Sequence, residues 1–382
     1  MRNGFRIVDG DGHMQEPPDI WEKYVEDRYQ EFAPKVIGTR NYGRAFTYAP
    51  NIAFPNGTVN RPESANTDTP IRFPRGSASG WSLAARLADM DDEGIDIMIC
   101  FPTNGGGGGG ANVPPDAQAA IARAYNNWAR DYCRDSHGRV QYIARLPRTL
   151  PDAVEEIHRT ASWPEIAAYG PPHPQAVGPD IVTEAYDPLW QALVEADSAA
   201  CLHGGGSQFT VYNTWRTAKL EPVSHSLTCM VDGQLAMAGL IFGGVLDRFR
   251  SLRVAFYESN AAWVPAWLCK MDDHAVGRQA RFIEGHRPQR KPSEIFREQC
   301  FVACDADEGD LGHAVDVLDA HNIIFNTDYP HGDSPMPGAV GMFLEQPISD
   351  EAKRRILWDN ALALYGSRLN PNVVSTTSAA AV

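Results

Sequence analysis

Short β-rich runs alternate with helical patterns along almost the whole chain, and that alternation constrains the fold more than any other feature. The runs cover residues 5–9, 95–101, 140–146, 175–182, 199–203, 253–258, 300–304 and 322–327. Amphipathic helical patterns lie between them at 81–92, 115–135, 152–161, 187–197, 230–249, 261–277, 313–320 and 349–365. Parallel strands need long crossover connections, helices supply them, and closing the sheet removes its edges. Eight strands alternating with eight helices therefore predict a (β/α)8 TIM barrel. The run at 175–182 is the weakest of the eight, and without it an open α/β sheet becomes the alternative.

The chain has 382 residues, 43% hydrophobic and 21% charged, which suits one large barrel over residues 1–370. Two stretches exceed a minimal barrel. Residues 38–80, rich in Gly, Pro, Asn and Thr, read as a lid-like insertion after the first strand. Six consecutive glycines within 104–110 read as a flexible loop, because a phosphate cradle would need a following Lys and Ser/Thr. Residues 371–382 read as a frayed tail.

A formal charge of −14 disfavours nucleic acid as a partner. No apolar run is long enough to span a membrane, and no basic leader precedes the first strand, so the expectation is a cytoplasmic protein. Seven scattered cysteines without a C-x-x-C pair read as reduced core thiols.

The first strand runs into DGDGHMQEP. Alternate residues of a strand share a face, so Asp9, Asp11 and His13 would project together, with Gly10 and Gly12 opposite. A polar turn with capping acids is the competing reading. Other strand ends shift the balance: CLHGGGS places His203 at the end of the fifth strand, FYESN places Glu258 at the end of the sixth, and FNTDYPHGDS places Asp328 and His331 after the eighth. Barrel enzymes build their active sites at these C-terminal ends, and convergent Asp, His and Glu side chains point to a metal. His225 reads either as a further ligand or as a helix cap. His331 reads as a ligand or as a group that moves a proton, Glu16 as a residue that orients His13, and Asp9 either as another such residue or as a buried strand-end acceptor. Arg40, Arg44, Arg61, Arg72 and Arg75 read as solvated loop residues, with contact to an anionic substrate as the alternative.

The motifs DGDGHMQEP, LHGGG, LIFGGVLDRF followed by FYESNAAWVP, NTDYPH and ILWDNALALY together resemble the amidohydrolase-related superfamily over residues 5–367. The resemblance is to the branch with the aminocarboxymuconate-semialdehyde and benzoate-type decarboxylases. It implies a barrel of the metal-dependent hydrolase type, with Asp11, His13, His203 and Asp328 as metal ligands. Two departures stand out: the first strand carries Asp-x-His where many relatives have His-x-His, and Glu258 stands where the sixth strand usually delivers a His.

A carboxylate can bridge two cations where a neutral imidazole binds one. Glu258 and the ligand count therefore raise the expectation of two Fe ions. The likeness in kind is to the amidohydrolase-fold non-haem diiron monooxygenase of platensimycin and platencin biosynthesis, which hydroxylates a diterpenoid acyl-CoA. On this reading O2, an electron donor and an apolar small-molecule substrate are the partners, with Glu258, Asp328 and His331 catalytic. The alternative is a hydrolase or non-oxidative decarboxylase with one Zn or Mn ion. A homodimer is the default assembly.

Overall fold

The computed structural model describes all residues except 18, 41–42, 48–72, 104–112, 173–177, 205–217, 219, 333, 370–372 and 374–382. At 35–40, 43–47, 77, 221, 224, 225 and 282 it describes the backbone alone. The polyglycine run, most of the 38–80 insertion and nearly all of the tail lie outside the described residues.

Eight strands form one sheet in sequence order: β1 Val8–His13, β2 Ile97–Phe101, β3 Val140–Arg145, β4 Ile166–Gly170, β5 Ala200–His203, β6 Val254–Tyr257, β7 Cys300–Cys304 and β8 Ile323–Phe325. With helices between the strands, this is the (β/α)8 barrel. After β8 the chain runs on beside β1. Gly12 bridges Tyr329 in parallel, and Asp328 N–H donates to Asp11 O at 2.8 Å. Strands covered on both faces are apolar throughout, as in β2, where every residue from Ile97 to Phe101 is buried.

The fourth strand differs from the sequence expectation. It is Ile166–Gly170, while Pro179–Val182 is a 3-10 turn and 175–177 lie outside the described residues. Its sequence, IAAYG, carries two alanines of weak strand preference, so composition hid a strand whose burial is complete through Tyr169. Part of the insertion forms an antiparallel hairpin, Lys35–Arg40 with Gly43–Thr47. The pattern at 230–249 begins earlier, as helix Glu221–Phe242. It breaks at Gly244, whose φ of 78° is open to glycine, before Val245–Arg248.

The chain packs as two compact units. The first comprises Met1–Ala167 with Thr327–Val340, and the second Ala168–Asn326 with Gly341–Leu369. In the first, helix Leu83–Glu93 starts where the Ser82 hydroxyl accepts from Ala85 N–H and stops at left-handed Gly94. In the second, Tyr257 and Tyr365 join their hydroxyls at 2.6 Å inside the core. All seven cysteines are free, and six are buried. Among the described residues no helix is long and apolar enough to cross a membrane.

Candidate metal centre

In the first unit, β1 delivers Asp11 and His13, and the segment after β8 delivers Asp328 and His331. His13 Nε2 lies 3.4 Å from Asp11 Oδ1 and 3.2 Å from Asp328 Oδ1. His331 Nδ1 lies 2.7 Å from the same Asp328 oxygen, and the two imidazoles stack with centroids 3.9 Å apart. Ligand atoms of His13, Asp328 and His331 all fall within 4.8 Å of one another. Two imidazoles and two carboxylates, with His13 Nε2 facing both carboxylates, supply the nitrogen and oxygen donors that a divalent first-row ion takes. The residues therefore fit a metal.

Three features hold this cluster. A bulge between Asp9 and Gly12 puts one extra residue into β1 against β2. Strict alternation fails there, so the shared face predicted for all three residues holds for Asp11 and His13 but not for Asp9. Asp9 accepts instead from the Thr327 amide at 3.0 Å, the Thr327 hydroxyl at 2.6 Å and the Asp11 amide at 3.2 Å. Burial pushes its carboxyl up to about 6 despite those hydrogen bonds. Of the two roles read for Asp9, the structure shows the buried acceptor, pinning Thr327 just ahead of Asp328. Finally, Asp328 sits in the left-handed region, φ 54°, at a cost of about 1–2 kcal/mol for a residue with a Cβ.

Burial alone would raise the Asp328 carboxyl. The charge of His331 and the hydrogen bonds from His13 and His331 outweigh it and hold Asp328 well below the usual carboxylate range. Asp328 is thus kept as an anion, the form a cation needs. Glu16 accepts from the Thr103 amide at 3.0 Å and so anchors the chain after β2. Thr103 was not foreseen from sequence; its hydroxyl stands 3.5 Å from His331 Nε2. Arg75 is engaged with Asp89 at 2.6 Å and Asp92 at 2.8 Å.

The second unit carries His203 and Glu258. His203 Nδ1 is 2.8 Å from Gly204 O and 3.3 Å from Glu258 Oε2. With its proton on Nδ1, His203 keeps Nε2 as the nitrogen able to ligate, and Glu258 lies on the opposite edge of the ring. Glu258 and Asn260 both have positive φ, 53° and 60°, so the turn after β6 is strained and must be held from outside. Glu308 holds it. This buried carboxylate accepts from Ala261 N–H at 2.9 Å and Ala262 N–H at 2.6 Å, while Asn260 donates to Asp305 at 2.7 Å. His225 lies in helix Glu221–Phe242, but its side chain is outside the described residues.

Comparison with known proteins gives one family and a set of solved structures. The family profile described as amidohydrolase matches residues 11–367. No curated protein matches the chain. Among solved structures, amidohydrolase map2389c of Mycobacterium avium subsp. paratuberculosis is 20% identical, with a TM-score of 0.73, over 95% of this chain and 100% of that one. The 5-carboxyvanillate decarboxylase LigW2 of Novosphingobium aromaticivorans, with bound manganese and 3-methoxy-4-hydroxy-5-nitrobenzoic acid, is 18% identical with a TM-score of 0.72, over 95% and 98%. The dihydroxybenzoic acid decarboxylase of Polaromonas sp. JS666, with bound manganese and 2-nitroresorcinol, is 17% identical with a TM-score of 0.64, over 94% and 97%. At these identities the likeness is one of fold.

Proposed function

Because the chain belongs to the amidohydrolase family, we propose that it is a metal-dependent, non-oxidative decarboxylase of a small carboxylic acid. One divalent ion, manganese or zinc, is held by Asp11, His13 and Asp328, and the family resemblance implies His203 as a further ligand. The observation that carries this reading is that His13 Nε2 faces both Asp11 and Asp328, with His331 bonded to Asp328. In barrels of this class the C-terminal strand ends share one active rim, and His13 and His203 are the last residues of their strands. Decarboxylases recur among the structural neighbours, two of them bound to manganese.

The reaction replaces a carbon–carboxylate bond by a carbon–hydrogen bond: carbon dioxide leaves, the bonding pair stays on carbon, and a proton arrives there. A bound divalent ion would supply Lewis acidity to orient the acid and stabilise charge on it. Asp328 and His331, joined through Oδ1 and Nδ1, hold the proton that is delivered. Glu258 orients His203 from its Nδ1 edge.

The diiron oxygenase reading rests on Glu258 and the ligand count. Glu258 facing Nδ1 of His203 suits an orienting carboxylate better than a bridging one, and the comparisons add nothing to the oxygenase. Carbon dioxide release separates the two. Metal-loaded protein incubated without oxygen with a panel of hydroxybenzoic and other unsaturated acids is expected to release it. Turnover that requires oxygen and a reductant would overturn the proposal.

A further inference from the structure

Arg86 is 2% exposed, and among the described residues no carboxylate lies within 4 Å of its guanidinium. A buried cation without an ion partner costs several kcal/mol, so its retention calls for a reason. Every group that receives it is neutral. Its Nη2 donates to His13 O at 2.6 Å, its Nε to the Tyr132 hydroxyl at 3.2 Å, and its Nη1 to Met98 Sδ at 3.2 Å and Cys100 Sγ at 3.5 Å. The guanidinium also lies over the Tyr329 ring, 5.2 Å from its centroid, a cation–π contact in a dry setting.

The shortest of these bonds falls on the backbone of His13, and the other side of that residue is held as well. His13 N–H donates to Tyr329 O at 2.6 Å, and the Tyr329 hydroxyl donates to Asp89 at 2.6 Å. Arg86 thus grips His13 directly through its carbonyl and braces the ring of the residue that holds its amide. His13 ends β1, where the regular ladder stops and the bulge has already disturbed the register. These two bonds fix the backbone that carries its ring toward Asp11 and Asp328.

We propose that Arg86 is a positioning residue for the metal centre, fixing the His13 imidazole through the His13 carbonyl and Tyr329. The inference rests on the metal-site reading above. Groups one step out from a metal ligand change affinity by about 10–100-fold when removed. Arg86→Met is therefore expected to weaken Mn2+ binding, measured by equilibrium titration, by about tenfold to a hundredfold, and Arg86→Lys by less. Arg139→Met is the control. Arg139 is also a buried arginine of the first unit that donates to backbone carbonyls, Ile95 O and Asp96 O, but it contacts no residue of the cluster. Its loss is expected to lower the thermal midpoint and leave Mn2+ affinity unchanged.

Unchanged or tighter Mn2+ binding by Arg86→Met would overturn the proposal, as would an equal loss of affinity in Arg139→Met. Should Arg86→Met fail to fold, Tyr132→Phe removes the partner of Arg86 Nε, and a several-fold weaker Mn2+ affinity is expected. Wild-type affinity in that variant would overturn the proposal in the same way. Wild-type protein that binds no Mn2+ would instead remove the metal-site reading and this inference with it.

Discussion

Replacing Glu308 by glutamine should change how stability depends on pH. Burial pushes the Glu308 carboxyl up to about 7 from 4.5, although the Ala261 and Ala262 amides donate to it. A carboxyl group raised this far binds a proton more readily folded than unfolded, so its contribution to stability is full below pH 4.5. That contribution is lost as pH rises through about 7. At about 1.4 kcal/mol per pH unit, wild-type protein loses roughly 3 kcal/mol from this one group between pH 4.5 and 8. Glutamine keeps an oxygen for the two amides and cannot ionise. Urea unfolding of both proteins at pH 5 and pH 8 isolates the effect, because every other titrating group cancels in the difference. The variant should gain roughly 2–3 kcal/mol on wild type over that interval. A pH-independent difference between the two proteins would refute the assignment of Glu308 as a charged buried clamp on the turn after β6.

Three further outcomes follow from the geometry. A Cβ on Gly12 would stand 2.8 Å from both Cγ and Sδ of Met98, so Gly12→Ala should destabilise by about 1–3 kcal/mol in a chemical denaturation curve. Thr327→Val removes the hydroxyl that donates to Asp9 at 2.6 Å and should cost about 1–3 kcal/mol, read the same way. Glu258→Gln keeps the shape beside His203 but not the charge. It should weaken Mn2+ binding by about tenfold or more in a competition assay without abolishing it, whereas a bridging ligand would lose a whole metal.

The sequence carried the barrel because parallel strands covered on both faces are nearly pure apolar runs, and seven of the eight stand close to where the runs predict them. The eighth, Ile166–Gly170, escaped because alanine fills a crowded strand without announcing it. The proposed ligands were legible for a related reason: polar side chains at or just after the ends of apolar strands, as at His13, His203 and Asp328, have little structural excuse. What the sequence hid was support. Asp9 could not be placed by parity because the bulge in β1 leaves no local mark. Thr103 is an ordinary residue in an ordinary loop. Arg86 did leave a trace, since with Met90 and Glu93 it falls on the buried stripe of helix Leu83–Glu93, where a cation is out of place. Its target on β1 became visible only in three dimensions.

The central claim is a single metal held by the His13 cluster, and the most direct test is a Mn2+ titration followed by electron paramagnetic resonance. Wild-type protein should bind one equivalent per chain, and the His13→Ala, Asp328→Asn double variant should bind none at the same concentrations. Two equivalents of iron per chain in place of one manganese, or undiminished binding by the double variant, would contradict it.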